Sequence, residues 1–191
     1  MILDSISIKN YRSIFEIKNL KFSDTLTTFI GKNNQGKSNI LKAIDLVFQC
    51  INMQSEMVLG RRPYLFRDID YRWEKDFPVQ KQNRRKYDQT TKISIALLLS
   101  EQEIEDYSKN IGFRIAPKLF ASITFEKEHK YKFELSSSGI NKQKFQNSEI
   151  LIKSALWILG KINFQYIPAI RTENLADEIA NNIISLELSS L

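Results

Sequence analysis

The sequence predicts an α/β fold in which a short strand, a glycine-rich loop and a helix follow one another. The loop, 31–38, reads GKNNQGKS and matches the pattern G-x-x-x-x-G-K-[ST] in full. The residues before it, 27–30, are expected to form a short buried strand. After it, apolar residues recur along one helix face, at positions 41, 44, 47, 48 and 51. Strand, loop and helix in this order are typical of a phosphate-binding loop, or P-loop.

The P-loop pattern predicts that the protein binds a nucleoside triphosphate. Backbone N–H groups of such a loop point at a phosphate, and the helix dipole adds positive potential there. Lys37 would neutralise the β and γ phosphates, and the hydroxyl of Ser38 would ligate Mg²⁺. The alternative is a glycine-containing helix entry without a ligand, which the flanking strand and helix disfavour.

The first three strands and the P-loop helix are expected within the first 52 residues. Residues 2–9 alternate as in a strand, and a turn at 10–13 separates them from a second strand at 14–20. The third strand, 26–30, leads into the P-loop, whose helix is expected to continue to about residue 52.

A strand, a short helix and a hairpin are expected after residue 90. The apolar run 93–99 predicts a buried strand. Ser100 and Glu103 match a capping box that would open a helix ending near 109. Residues 119–126 and 130–136 alternate, and they are expected to pair as a hairpin.

The chain is expected to end in helix, strand and helix. Ser148 is predicted to cap an apolar helix over 149–159, which would stop at Gly160. Residues 162–167 are predicted to form a strand that ends at Pro168. From Thr172 onward apolar residues recur four apart, which predicts an amphipathic helix.

Composition excludes several function classes. Of the 191 residues, 42% are apolar and 26% charged, as in a soluble globular domain. The single cysteine, Cys50, excludes an internal disulfide and favours a reducing cytoplasm. The single histidine, His129, lies in a charged turn and cannot build a zinc site with one distant cysteine. No window is apolar enough to span a bilayer, so a membrane partner is not expected.

Most of the net charge of +6 lies in one segment. Residues 61–87 carry nine bases and four acids, with aromatic residues between them. Lys and Arg interleaved with aromatics suit a nucleic-acid backbone, through charge neutralisation and stacking. A solvated excursion with packed aromatics is the alternative, and the sequence leaves both open. The candidate DNA contacts are Arg61, Arg62, Arg84, Arg85 and Lys86.

A complete hydrolytic P-loop site also needs an acidic residue after a second apolar strand. The run 97–101, LLLSE, lacks an aspartate at the turn and is better explained by the helix cap at Ser100. The run 135–139, LSSSG, is better explained as an ordinary turn than as a signature loop. We therefore expect no catalytic residue within this chain.

The chain resembles the N-terminal ATPase lobe of the SMC/RecF/OLD group of ABC-type ATPases from residue 1 to about 175. Residues 8–14, IKNYRSI, look like the first strand and turn of these proteins, and 31–41 look like their phosphate loop and helix. Residues 71–79, YRWEKDFPV, are similar to a segment of OLD-like members. Residues 166–171, YIPAIR, resemble the strand end that precedes the helical arm.

This resemblance implies ATP and Mg²⁺ as cofactors. Arg12 and Ser13 would lie near the nucleotide, and Gln165 is a candidate for the glutamine that senses Mg²⁺ and water. Asn34 stands where the family has glycine, which the loop can tolerate because asparagine adopts left-handed backbone conformations. The expected nucleotide site comprises Arg12, Ser13, Gly31, Asn33, Asn34, Gln35, Gly36, Lys37, Ser38 and Asn39.

The resemblance also implies an architecture and partners. Residues 1–171 would form the N-terminal lobe of an ABC-type head, with a mixed sheet, an antiparallel hairpin and a basic insertion at 53–90. Residues 172–191 would begin a helical arm, and a C-terminal lobe absent from this chain would supply the signature loop and the acid. Implied partners are that lobe, DNA and a second head that sandwiches ATP. OLD-like members add a nuclease.

The implied role is ATP-driven head dimerisation in DNA repair, chromosome handling or phage defence. Two alternatives remain: a small P-loop phosphotransferase, and a nucleotide-binding regulatory module without turnover. A small kinase would usually carry its loop near residue 10 and continue as alternating parallel βα units. The three strands before this helix and the hairpin after it disfavour that alternative.

Overall fold

A computed structural model describes residues 1–33, 35–56, 69–83, 88–127, 130–140 and 142–168. In these ranges the strands are β1 (Ile2–Tyr11), β2 (Ile14–Lys21), β3 (Thr91–Leu98), β4 (Lys118–Phe125) and β5 (Tyr131–Ser137). The α-helices are α1 (Lys37–Glu56), α2 (Trp73–Asp76), α3 (Val79–Gln82), α4 (Glu101–Ile111) and α5 (Ser148–Leu159). A 3-10 helix, Lys142–Gln146, precedes α5.

The five strands form one sheet in the order β2-β1-β3-β4-β5, and every neighbouring pair is antiparallel. One register row joins Ile8, Ile93, Ile123 and Phe133, all of which are buried. Side chains alternate between the two faces of a strand, so this row marks the core face. A one-residue slip would expose the whole row, and the register is fixed accordingly.

Helices α1 and α5 pack against each other within the core. Most of the apolar side chains of α1 are buried, as expected for a helix that lies across a sheet. The ring of Phe48 stacks on that of Phe164, with 4.3 Å between the centroids. The segment after α5 is thereby attached to the middle of α1.

Most of the expected elements are confirmed. The strands at 2–9, 14–20 and 93–99 and the hairpin at 119–126 and 130–136 are present, each within two residues of its expected ends. The capping box is also present: Ser100 Oγ accepts from Glu103 N at 3.3 Å, and Glu103 Oε2 accepts from Ser100 N at 2.8 Å. Each of these elements is specified by residues that are close together in the sequence.

Two strand expectations were wrong. Residues 26–30 and 162–167 form no strand in the structure, and Ile30 is 92% exposed rather than buried. The expected mixed sheet depended on these segments; the sheet in the described residues is antiparallel throughout. A strand needs a neighbour for its backbone N–H and C=O groups, and the described ranges give neither segment one.

Two helix ends also differ from expectation. The cap of α5 is Asn147, not Ser148: its Oδ1 accepts from the N–H groups of Glu149 at 2.9 Å and Ile150 at 3.3 Å. An asparagine with extended backbone serves this role as well as a serine, and Ser148 becomes the first helical residue. Helix α1 continues to Glu56, one turn beyond 52.

Within the basic insertion at 53–90, the described residues 69–83 contain two short helices, α2 and α3. The aromatic residues Tyr71, Trp73 and Phe77 in this stretch are buried. His129 and the predicted arm at 172–191 lie outside the described residues. Among the described residues, no helix combines the length and hydrophobicity that a transmembrane span requires.

Candidate nucleotide-binding site

The glycine that ends the P-loop lies in close contact with the turn between β1 and β2. Gly36 is buried and has φ +87°, a conformation that side chains with a Cβ rarely adopt. A Cβ at this position would lie 3.2 Å from Ser13 Oγ and 3.4 Å from Ile14 Cγ1. The loop can therefore approach the turn this closely only with glycine here.

Helix α1 begins at Lys37, so the positive end of a 20-residue helix lies at the P-loop. The Nζ atom of Lys37 donates to the carbonyl oxygens of Gly31, at 2.6 Å, and Lys32, at 2.7 Å. The ammonium group is thus held at the mouth of its own loop. Phosphate oxygens are charged acceptors and would bind this donor more strongly than neutral carbonyls do.

Asn39 joins the first turn of α1 to the β1–β2 turn. Its Nδ2 donates to Ser13 Oγ at 3.0 Å, and its Oδ1 accepts from Arg12 Nη1 at 3.5 Å. Asn39 thereby contacts two residues that lie 26 and 27 positions before it in the sequence. The structure places Arg12, Ser13 and Asn39 around the start of the P-loop helix.

Asp76, which sequence analysis did not select, holds Arg12 in place. Arg12 Nε donates to Asp76 Oδ1 at 2.7 Å, and Arg12 N donates to the backbone oxygen of Asp76 at 2.6 Å. Burial lowers the pKa of the Arg12 guanidinium, but Tyr11 and the hydrogen-bonded Asp76 more than compensate, and the pKa is raised. Arg12 is therefore a permanent cation beside the P-loop helix.

A groove of about 560 Å³ starts at these residues. The β1–β2 turn and α1 contribute Arg12, Ser13 and Asn39 to its wall, and the insertion contributes Asp76 and Val79. Val79 is 70% exposed, which gives this polar groove an apolar side. Part of the basic insertion therefore lines the same groove as the P-loop helix.

The remaining predicted site residues are placed as follows. Gly31, Asn33, Gln35 and Ser38 are exposed along the loop and the first turn of α1. Gln165 is exposed in the segment after α5, which is not a strand. Six predicted residues lie outside the described ranges: Asn34, Arg61, Arg62, Arg84, Arg85 and Lys86.

The residues present fit a magnesium ion shared with a nucleotide rather than one held by protein alone. In the described part of the chain, no group of three or more His, Cys, Asp or Glu residues could hold a metal ion. Mg²⁺ at nucleotide sites takes one or two protein oxygens and completes its shell with phosphates and water. The hydroxyl of Ser38, exposed beside Lys37, is suited to be such a ligand.

The family assignment follows from the sequence as a whole. The family model described as AAA ATPase domain matches residues 1–189. The chain belongs to this family. Its P-loop and the predicted fold class, a P-loop NTPase of the ABC head type, agree with that assignment.

Relatives of this AAA ATPase domain include a RecF protein. The DNA replication and repair protein RecF of Bacillus cytotoxicus is 29% identical over 119 residues. That match covers 59% of this chain and 29% of the RecF sequence, so the chain spans less than a third of that relative.

A solved structure shares its fold. It comes from a study of ATP-driven dimerization and DNA stimulated activation of SMC ATPases, and the match covers 96% of this chain and 99% of its own. Its TM-score is 0.51 at 14% identity. An SmcHead bound to the C-winged helix domain of ScpA matches 81% of this chain and 41% of its own, with a TM-score of 0.44 and 15% identity. The resemblance to the ATPase lobe of SMC/RecF-type proteins is confirmed.

Proposed function

We propose that this AAA ATPase domain binds ATP and Mg²⁺ at the P-loop, as the N-terminal lobe of a DNA-associated ATPase. The observation that carries the proposal is the contact between the start of α1 and the β1–β2 turn. Arg12 and Ser13 bond to Asn39 there, and Lys37 is the first residue of the same helix. A lysine and an arginine beside one positive helix end favour a polyphosphate.

Each site residue has a distinct role in this proposal. Lys37 exchanges its loop carbonyls for β- and γ-phosphate oxygens, and Ser38 ligates Mg²⁺, which neutralises charge on the same phosphates. Arg12 adds a second, planar donor group from the β1–β2 turn. Gly36 permits the loop to turn tightly against Ser13, which brings these groups together. Backbone N–H groups at the end of the loop and the start of α1 would complete the phosphate cradle.

The proposal includes a C-terminal lobe as the partner of this one. Leu26 is 77% exposed and Ile30 is 92% exposed. Both lie in the segment directly before the P-loop, where related folds carry a strand. A strand added from another lobe would cover these apolar side chains and pair the backbone of 26–30. That lobe would supply the acid that we do not expect within this chain, and two such heads would then close on ATP.

DNA is the proposed effector. RecF is named as a DNA replication and repair protein, and the SMC study concerns DNA stimulated activation. The excess positive charge of residues 61–87 supports a phosphate-backbone contact. A role in repair or phage defence, a nuclease partner and a cytoplasmic location belong to the same proposal.

The test is ATP turnover by the full-length protein, measured as phosphate release with and without duplex DNA. We expect DNA to raise the rate, and we expect the Lys37→Ala variant to show neither basal nor stimulated turnover. ATP binding without turnover in both conditions would instead favour the regulatory module. DNA-independent transfer of phosphate to a small molecule would favour the phosphotransferase.

A further inference from the structure

Both carboxylate oxygens of the buried Asp76, and its backbone oxygen, accept hydrogen bonds. Asp76 lies at the end of α2 and is 3% exposed. Oδ1 accepts from Arg12 Nε and Oδ2 from Arg72 N, both at 2.7 Å, while its backbone oxygen accepts from Arg12 N at 2.6 Å. A buried carboxylate is costly unless it is paired and hydrogen-bonded, and this one is both.

These bonds fix Arg12 at two points, its backbone and its side chain. Arg12 has φ +51° in the tight turn between β1 and β2, so the backbone contact secures an unfavourable conformation. Arginine has five N–H donors in a planar fork. Asp76 engages Nε, and Nη1 approaches Asn39 Oδ1 at 3.5 Å in the first turn of α1. The fork is thereby aligned with the start of the P-loop helix.

We propose that Asp76 is a positioning residue that orients Arg12 toward the phosphates of the bound nucleotide. This inference rests on the proposed function, because it assumes that the nucleotide occupies the P-loop. Arginine is a long side chain that loses rotamer freedom when it binds a ligand. A guanidinium already held at Nε loses less of that freedom on binding, so affinity rises without a further contact.

The proposal gives the insertion at 53–90 a role in the nucleotide site. Asp76 belongs to that insertion, and Arg12 belongs to the β1–β2 turn. If Asp76 had a purely structural role, it would only anchor α2 to the β1–β2 turn. In that case its replacement would change stability, and any effect on nucleotide affinity would not depend on Arg12.

A double-mutant cycle separates these roles. The affinity of residues 1–191 for a fluorescent ATP analogue with Mg²⁺ is measured for wild type, Asp76→Asn, Arg12→Ala and the double variant. We expect Asp76→Asn to weaken binding roughly tenfold in the wild-type background and not at all in the Arg12→Ala background. An equal loss in both backgrounds, or no loss in either, would overturn the proposal.

Two further variants control the measurement. Asp4→Asn removes a carboxylate that pairs with Lys21 and Lys118 near the other end of β1, and it should leave affinity unchanged. Arg12→Lys keeps the charge but removes the Nε–H that Asp76 holds, and it tests the proposal if Asp76→Asn does not fold. We expect weaker binding; unchanged binding would overturn the proposal. Absence of binding by wild type would overturn the proposed function itself, and this inference with it.

Discussion

The Oγ atom of Ser13 lies 3.2 Å from the position that a Cβ on Gly36 would occupy. The β1–β2 turn and the end of the P-loop are therefore in direct contact, with no space for a side chain. This contact holds the end of the P-loop against the edge of the sheet. Because this contact is so close, a side chain at residue 36 is expected to disturb it.

Gly36→Ala should destabilise the fold by about 1–2 kcal/mol and weaken nucleotide binding, because the new Cβ is strained at φ +87° and displaces Ser13. Urea unfolding and nucleotide titration measure the two effects. Gly112→Ala is the matched control: Gly112 has φ +97° at the end of α4, with open space around it. The Gly112→Ala variant should be less stable than wild type but should bind nucleotide with unchanged affinity. Equal affinity loss in both variants would refute the local explanation.

Neutralising the basic segment should weaken DNA binding at every sequence alike. The variant replaces Arg61, Arg62, Arg84, Arg85 and Lys86 in the full-length protein. If these residues contact phosphates, the slope of log K against log salt becomes shallower by roughly one unit per lost contact. Retained affinity and slope after all five replacements would show that the segment is a solvated excursion.

Residues 1–191 alone should bind nucleotide weakly and hydrolyse it negligibly. They carry Lys37 and Ser38, but the sequence predicts no acid among them that would hold the attacking water. Glu101, the acid nearest the end of β3, is paired with Arg114 at 2.7 Å. Phosphate release from the purified fragment measures this. Sustained turnover that Lys37→Ala abolishes would contradict the prediction and require an acid within the fragment.

The carboxylate of Asp4 should stabilise the fold only above acidic pH. Its hydrogen bond from Lys21 holds its pKa below the usual value despite partial burial, and Lys118 acts in the same direction. A depressed pKa contributes stability above the unfolded pKa, near 4, which is lost as pH falls through the folded pKa. Asp4→Asn should thus be less stable than wild type at pH 7, and this difference should shrink when the pH is lowered to 3 in urea unfolding. If the stability difference between Asp4→Asn and wild type were the same at both pH values, the ion pairs would be excluded as its cause. Asp24→Asn, in an exposed loop, is the control.

Local patterns in the sequence predicted most of the fold. The alternation of β4 and β5, the apolar run of β3 and the capping box at Ser100 each specify an element through neighbours in sequence. The P-loop pattern likewise located the start of α1 and the candidate site, since glycine and lysine are required there at fixed spacing.

Long-range pairing could not be read in the same way. Residues 26–30 have an apolar pattern, but whether they form a strand depends on a partner strand that no local pattern reveals. In the sequence Asp76 is one of four acids in a basic segment, and its contact with Arg12 spans 64 positions. The segment 71–79 is similar to one in OLD-like members, but that similarity does not indicate a buried carboxylate.

Calorimetric titration of ATP and Mg²⁺ into residues 1–191, wild type and Lys37→Ala, tests the central claim most directly. Removing Lys37 deletes a charge beside the β and γ phosphates, so we predict binding by wild type and roughly 100-fold weaker binding by the variant. The free energy of unfolding should change by less than about 1 kcal/mol, because the ammonium contacts only loop carbonyls. Equal affinity of the two proteins for ATP would contradict the assignment of 31–38 as the phosphate-binding loop.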